Sequence, residues 1–196
     1  MPESSRAEDL KIFSIFDIRD SVLLNYMSTD FSDFEKKTGI AFTDKNLLRT
    51  AFTHRSYLNE NRKSGMEHNE RLEFLGDAVL ELIVTEYLNA KYPEKNEGDL
   101  TSYRSALVNA ITLAGVAEGL GMNDHLLLSR GETKDTGRAR QVILANAIEA
   151  YIGALYLDQG YDKTKEFVSK YVFKLVDDIV SKKMWLDAKS HFQEKA

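Results

Sequence analysis

Apolar residues recur at three- and four-residue intervals over most of the chain, and period-two alternation is scarce, a pattern that specifies helices and an all-α fold. Pro2 and Pro93 are the only prolines, so few positions interrupt the pattern. Residues 1–30 read as an N-terminal extension in which 12–26 make a short peripheral packing helix. A helical bundle is expected over 31–183. Within it, residues 31–38 form a short helix stopped by Gly39, and Asp44 caps a second at 45–52. A polar loop at 59–65 precedes a long helix over 67–91, which ends before Pro93. Helices at 99–109 and 111–119 follow, then a charged loop at 126–137. A second long helix spans 138–157 and is closed by Gly160; the last covers 162–182.

The chain has 196 residues, enough for one domain with a real core and no need of disulfides. It contains no cysteine, which excludes thiol nucleophiles, zinc–thiolate sites and iron–sulfur clusters. No run is long and apolar enough to span a membrane, and residues 1–8 lack the basic-then-apolar order of a secretory signal, so a cytoplasmic protein is expected. The formal net charge of −5 weighs against a phosphate-binding surface, although carboxylates that gather metal ions count as negative while serving phosphate chemistry.

The two long helices carry the candidate chemistry. At about 100° per residue, Leu72, Leu75, Val79, Leu82 and Ile83 share a core-facing stripe, while Glu70, Glu73 and Asp77 share another face at i, i+3, i+7. Three like charges on one face repel by a few tenths of a kcal/mol per pair. They are either a solvated acidic surface or a site. Gly76, inside the helix, disfavours it by roughly 1 kcal/mol against alanine and implies close approach of something to the backbone there. Phe74 projects with neither stripe, as expected of a ring that packs on another helix or a partner subunit. The second long helix is apolar nearly all round, so it is expected to be buried, yet it carries Asn146 and Glu149 as neighbours on one face. A carboxylate there needs a partner. It is satisfied either by arginine or backbone, or by facing Glu73 and Asp77 around a hard divalent ion, for which oxygen ligands are suited.

These residues also have a familiar order. The run His68-Asn69-Glu70-Arg71-Leu72-Glu73-Phe74-Leu75-Gly76-Asp77-Ala78-Val79-Leu80 resembles the signature segment of the ribonuclease III family. Thr53-His54-Arg55-Ser56-Tyr57 before it, Glu97-Gly98-Asp99-Leu100 with Arg104-Ser105-Ala106-Leu107-Val108 after it, and residues 143–156 are similar to further family segments in the same order. The resemblance covers about residues 31–182 and implies an all-α homodimeric endoribonuclease. It would hydrolyse double-stranded RNA with Mg2+ (Mn2+ substituting) and no organic cofactor, leave 5′-phosphate and 3′-hydroxyl ends, and process rRNA and mRNA precursors.

Carried over by position, Glu73, Asp77 and Glu149 match catalytic metal-holding residues, Glu70 a secondary acid, and Phe74 an aromatic that enters a socket on the partner subunit. Asn146 departs from the pattern, where aspartate is commoner: it is either an amide-oxygen ligand or the mark of a weakened site, which would leave a double-stranded-RNA-binding dimer. Arg104, Lys134, Arg138 and Arg140 are candidate RNA contacts. His54 and His68 read as structural histidines, and Arg55 and Arg71 as partners of the acids. Residues 184–196 resemble the linker and opening helix of a double-stranded-RNA-binding domain that stops short.

Overall fold

The computed structural model describes residues 30–182; the expected N-terminal helix and the resemblance at 184–196 lie outside the described residues. Among the described residues nine α-helices follow in order: α1 (Ser32–Thr38), α2 (Lys45–Ala51), α3 (Arg55–Glu60), α4 (Glu70–Lys91), α5 (Glu97–Val108), α6 (Ala110–Gly119), α7 (Arg130–Lys134), α8 (Arg138–Tyr171) and α9 (Val176–Ser181). Among the described residues the sole β pairing is an isolated parallel bridge between Thr53 and Leu127. The fold is all-α.

α8 is the axis of the bundle. Its segment from Ile143 to Leu155 is almost wholly buried, as a helix that is apolar all round must be. α4, α6 and α2 pack on it, and α4 makes the largest interface. α5 lies against α4, and α9 against α5. On one side of α8, Tyr151 meets an aromatic cluster: its ring lies 5.4 Å from Phe34, in an edge-to-face arrangement, and 5.0 Å from Phe167. Glu149 is two residues away, about 200° round the helix, and therefore faces α4.

The turn chemistry read from the sequence is in place. Gly39 ends α1 at φ 75°, and the Asp44 side chain accepts from Asn46 N to cap α2. Gly160 breaks α8 at φ 79°, ψ −176°, a conformation closed to other residues, so two helices meet there without a loop. Just before it, Asp158 accepts from the backbone N–H groups of Thr43 and Asp44 at 2.9 and 2.8 Å, which ties the end of the buried segment to the α1–α2 turn. The stretch expected as one helix over 162–182 is interrupted by a 3₁₀ turn at Phe173–Leu175, where Phe173 stacks on Tyr87 of α4 at 3.7 Å.

The core stripe of α4 is rotated from the one expected. Leu82 is 58% exposed, whereas Leu72, Gly76, Val79, Leu80, Ile83, Val84 and Leu88 are buried. The rotation follows from Gly76. A Cβ built there would stand 1.8 Å from the Glu149 carbonyl oxygen, and one built on Gly153 would stand 2.2 Å from the Leu72 carbonyl oxygen. The two helices thus cross backbone to backbone, with the stripe centred on the crossing. Alanine at either position must push the helices apart. Gly76→Ala and Gly153→Ala are each expected to remove about 3 kcal/mol or more of stability, seen as a lowered urea midpoint; a midpoint within error of the parent would show that the crossing tolerates separation.

Candidate metal centre

Each helix of the crossing delivers oxygen-bearing side chains beside the glycine contact. Glu73 and Asp77 flank Gly76 on α4; Asn146 and Glu149 precede Gly153 on α8. Glu73, Asn146 and Glu149 are half-buried, and Asp77 is exposed. The acids act on one another. Burial, then the charges of Asp77 and Glu73, push the Glu149 carboxyl up to about 8. Burial, then Glu70 and Asp77, also raise Glu73, while a hydrogen bond from the Asn146 amide pulls it back down.

The expected juxtaposition of both helices' acids is therefore present. It is an open arrangement: among the described residues no three carboxylate or imidazole groups are drawn together tightly enough to share one ion. Like charges gathered on fixed backbones repel, and positive charge between them would offset that. The donors are hard oxygens, and the acids Glu73 and Glu149 are both shifted toward the neutral form, which is the chemistry a small divalent cation satisfies. The residues fit such an ion.

Glu70 sits at the edge of this group. It faces Arg55 at 3.6 Å on the solvent side and the buried Nδ1 of His68 at 3.8 Å. With His68 and Arg71 it also lines a surface depression of about 780 Å³, to which Leu47, Thr50, Leu72, Phe74 and Leu157 contribute. Phe74 stands at the edge of that depression, 82% exposed. His54 is a structural histidine: its Nδ1 caps α3 by accepting from Ser56 N, and burial lowers its pKa.

The start of α4 is held by a residue that the sequence reading passed over. Asn69 is buried; its side chain donates to the Ala51 carbonyl at 3.2 Å and its backbone N–H to the Thr53 carbonyl at 2.9 Å. Leu127 N donates to the Phe52 carbonyl and His54 N to the Leu127 carbonyl, stitching the same turn to the loop after α6. A polar residue immediately before a periodic apolar run was the available signal. Gly153, the partner of Gly76 in the crossing, was missed as well, although a glycine inside a buried helix is the same signal that marked Gly76.

Among the expected RNA contacts, Arg140 is corrected. It is buried, and its guanidinium donates to the backbone carbonyls of Asp135 and Glu132 at 3.0 and 2.6 Å. It anchors the loop before α8 and offers nothing to phosphate. Lys134, at the end of α7, and Arg138, at the start of α8, are exposed on either side of that loop. Arg104 lies against α4, donating to Thr85 Oγ1 at 2.9 Å.

Comparison with known proteins finds relatives of the bundle as a whole. A family model described as Ribonuclease-III-like matches residues 44–176. Ribonuclease 3 of Bacillus velezensis is 48% identical over 164 residues, which cover 84% of this chain and 66% of that protein. Ribonuclease 3 of Bacillus licheniformis is 45% identical over 176 residues, 90% of this chain and 70% of that one. The chain thus spans about two thirds of the length of these curated relatives. Among solved structures, the nuclease domain of ribonuclease III from Campylobacter jejuni, described for flexibility in its region involved in dimer formation, superposes with a TM-score of 0.67 at 41% identity. It covers 74% of this chain and 97% of that domain. Dicer from Pichia stipitis is more distant, with a TM-score of 0.51 at 30% identity over 70% of this chain and 58% of that one.

The raised Glu149 carboxyl has a consequence for stability. Its favourable neutral form is fully retained below the unfolded value of 4.5, and that contribution is lost as pH rises toward about 8. With EDTA present, Glu149→Gln is expected to stabilise the chain by about 1–2 kcal/mol at pH 8 and by little at pH 5, allowing for solvent screening. Urea titrations at the two pH values check this; an equal effect at both would mean that Glu149 ionises freely.

Proposed function

The chain belongs to the ribonuclease III family, and from that premise we propose that it is a metal-dependent endoribonuclease that hydrolyses double-stranded RNA. The observation that carries the reading is the meeting of Glu73 and Asp77 with Glu149 and Asn146 at the glycine crossing. When bound there, Mg2+ (or Mn2+) supplies Lewis-acid activation of water and positive charge against the phosphate. The chain's own residues do the rest. Glu73, Asp77 and Glu149 would hold the cation, Glu149 as its carboxylate. The Asn146 amide steadies Glu73 and adds an oxygen without adding charge. Glu70, paired with Arg55, bounds the cluster as a secondary acid. Water attacks phosphorus, and the products carry 5′-phosphate and 3′-hydroxyl ends. Exposed Lys134 and Arg138, with Arg104, are the proposed phosphate contacts; an A-form duplex is read there by shape and backbone rather than by sequence. The cellular role that fits this activity is processing of rRNA and mRNA precursors in the cytoplasm.

The active form is proposed to be a homodimer. Exposed Phe74 stands beside a depression that carries Leu47, Leu72, Leu75 and Leu157 within a charged rim of Glu67, Glu70 and Arg71, and a two-fold axis would place each Phe74 among the other subunit's leucines. Phe74→Glu is expected to weaken self-association by roughly a hundredfold while leaving the fold intact. Sedimentation against concentration measures this, and an unchanged dimer would remove Phe74 from the interface.

Cleavage of a labelled RNA duplex at low salt with Mg2+ tests the activity. Loss of a single outer partner of a metal ligand typically lowers activity 10–100-fold, so Glu149→Gln should reduce cutting by roughly a hundredfold or more, and EDTA should abolish it. Asn146 in place of the commoner aspartate favours one second reading, a binding dimer that does not cut. A chain that dimerises and binds duplex yet never cleaves, even with Mn2+, would establish that reading instead.

A further inference from the structure

A groove of about 490 Å³ runs between α6 and the C-terminal part of the bundle, on a different part of the surface from the carboxylate cluster. Gly115 and Gly119 lie along its α6 wall, and a Cβ on either would meet nothing within 4 Å. Ile111, on the same wall, is 76% exposed. The opposite wall is formed by Leu175, Asp178, Ile179 and Lys182. An apolar groove of this size with an isoleucine bare at its edge is an incomplete contact.

The sequence that follows Lys182, the last described residue, says what completes it. Its nearest large apolar positions are 184, 185 and 186. These are Trp185 and Leu186, preceded by Met184, the one cluster of large apolar residues between Lys182 and Phe192. Lys182 itself lines the groove, so the cluster begins two residues from its wall and lies within roughly 7–14 Å of chain reach. Asp30, where the described chain begins, does not line it.

We propose that Met184-Trp185-Leu186 docks on this groove, with Trp185 against Ile111 and the open α6 glycines. The chain beyond Leu186 then leaves the bundle from a fixed point and in a fixed direction. Whatever binds through that later segment is positioned relative to the carboxylate cluster by the dock.

Trp185 is the chain's only tryptophan, so its fluorescence reports the contact directly. In the full 196-residue chain, emission is expected to be blue-shifted and acrylamide quenching several-fold weaker than in a peptide of residues 182–190. Ile111→Asp removes the apolar partner at a helix N-terminus that tolerates an acid, and Gly115→Gln fills the groove at a position that favours a helix-forming residue. Each should shift emission to the red and raise quenching toward the peptide value, with circular dichroism unchanged. Three outcomes overturn the proposal. One is quenching in the parent chain equal to the peptide's. The second is shielding that neither variant disturbs, which would place the tryptophan elsewhere, for example against residues 1–29. The third is shielding lost on dilution, which would assign the groove to a second copy.

Discussion

The backbone contact between Gly76 and Gly153 sets the geometry on which the rest of this chain depends. Helices normally pack 8–10 Å apart because their side chains hold them there. Here a carbonyl of each helix occupies the space of the other's missing Cβ. The acids that share this crossing are brought into each other's field because nothing larger than hydrogen separates the two backbones. One turn further along either helix, the same residue types would be ordinary surface charge. The crossing also rotates α4, which buries Gly76 and Leu80 and turns Leu82 outward.

Such a cluster works against the fold that holds it. Glu149 is half-buried on a helix whose neighbours are apolar, and its neighbours in charge, Asp77 and Glu73, are of the same sign. The compensations are local and identifiable. The buried Asn69 side chain and the Phe52–Leu127–His54 stitching fix the first turn of α4, so repulsion cannot be relieved by unwinding it. Asp158 fixes the far end of the buried α8 segment to the α1–α2 turn. Arg140 fixes the near end by holding the loop carbonyls of Glu132 and Asp135. With α4 clamped at its start and the buried segment of α8 at both ends, the remaining ways to relieve the repulsion are protonation, which raises Glu149, and binding of a cation.

The helical architecture was legible because its signals are local. Periodicity identified α4 and α8, and Gly39, Asp44 and Gly160 act where turn and cap chemistry places them. The i, i+3, i+7 acids and the Asn146–Glu149 pair were legible as faces of helices. That the two faces meet was suggested by Gly76 but required Gly153, and no single-helix pattern reveals which glycine pairs with which. Leu82 was misjudged for the same reason: a stripe read on an isolated helix has a width, and the partner helix chooses its centre. Arg140 read as a surface cation because its burial comes from two backbone carbonyls, which have no sequence signature. The short helices Arg55–Glu60 and Arg130–Lys134 were not read as helices, being too brief for a period to show.

Net charge was the weakest guide to the reading proposed here, and the structure gives a reason. Four of the 31 acidic residues, Glu70, Glu73, Asp77 and Glu149, belong to one cluster, nearly the whole of the −5 excess. A charge that is gathered at a point and neutralised by a cation does not repel a phosphate backbone as the same charge spread over a surface would. Asn146 moves in the same direction, since it keeps an oxygen beside Glu73 while holding the local charge one unit lower than aspartate would. The sign of a whole chain describes its long-range field. On the proposed reading, a duplex would meet Lys134 and Arg138, which flank the loop before α8, and the acids only where an ion stands between them and the phosphate.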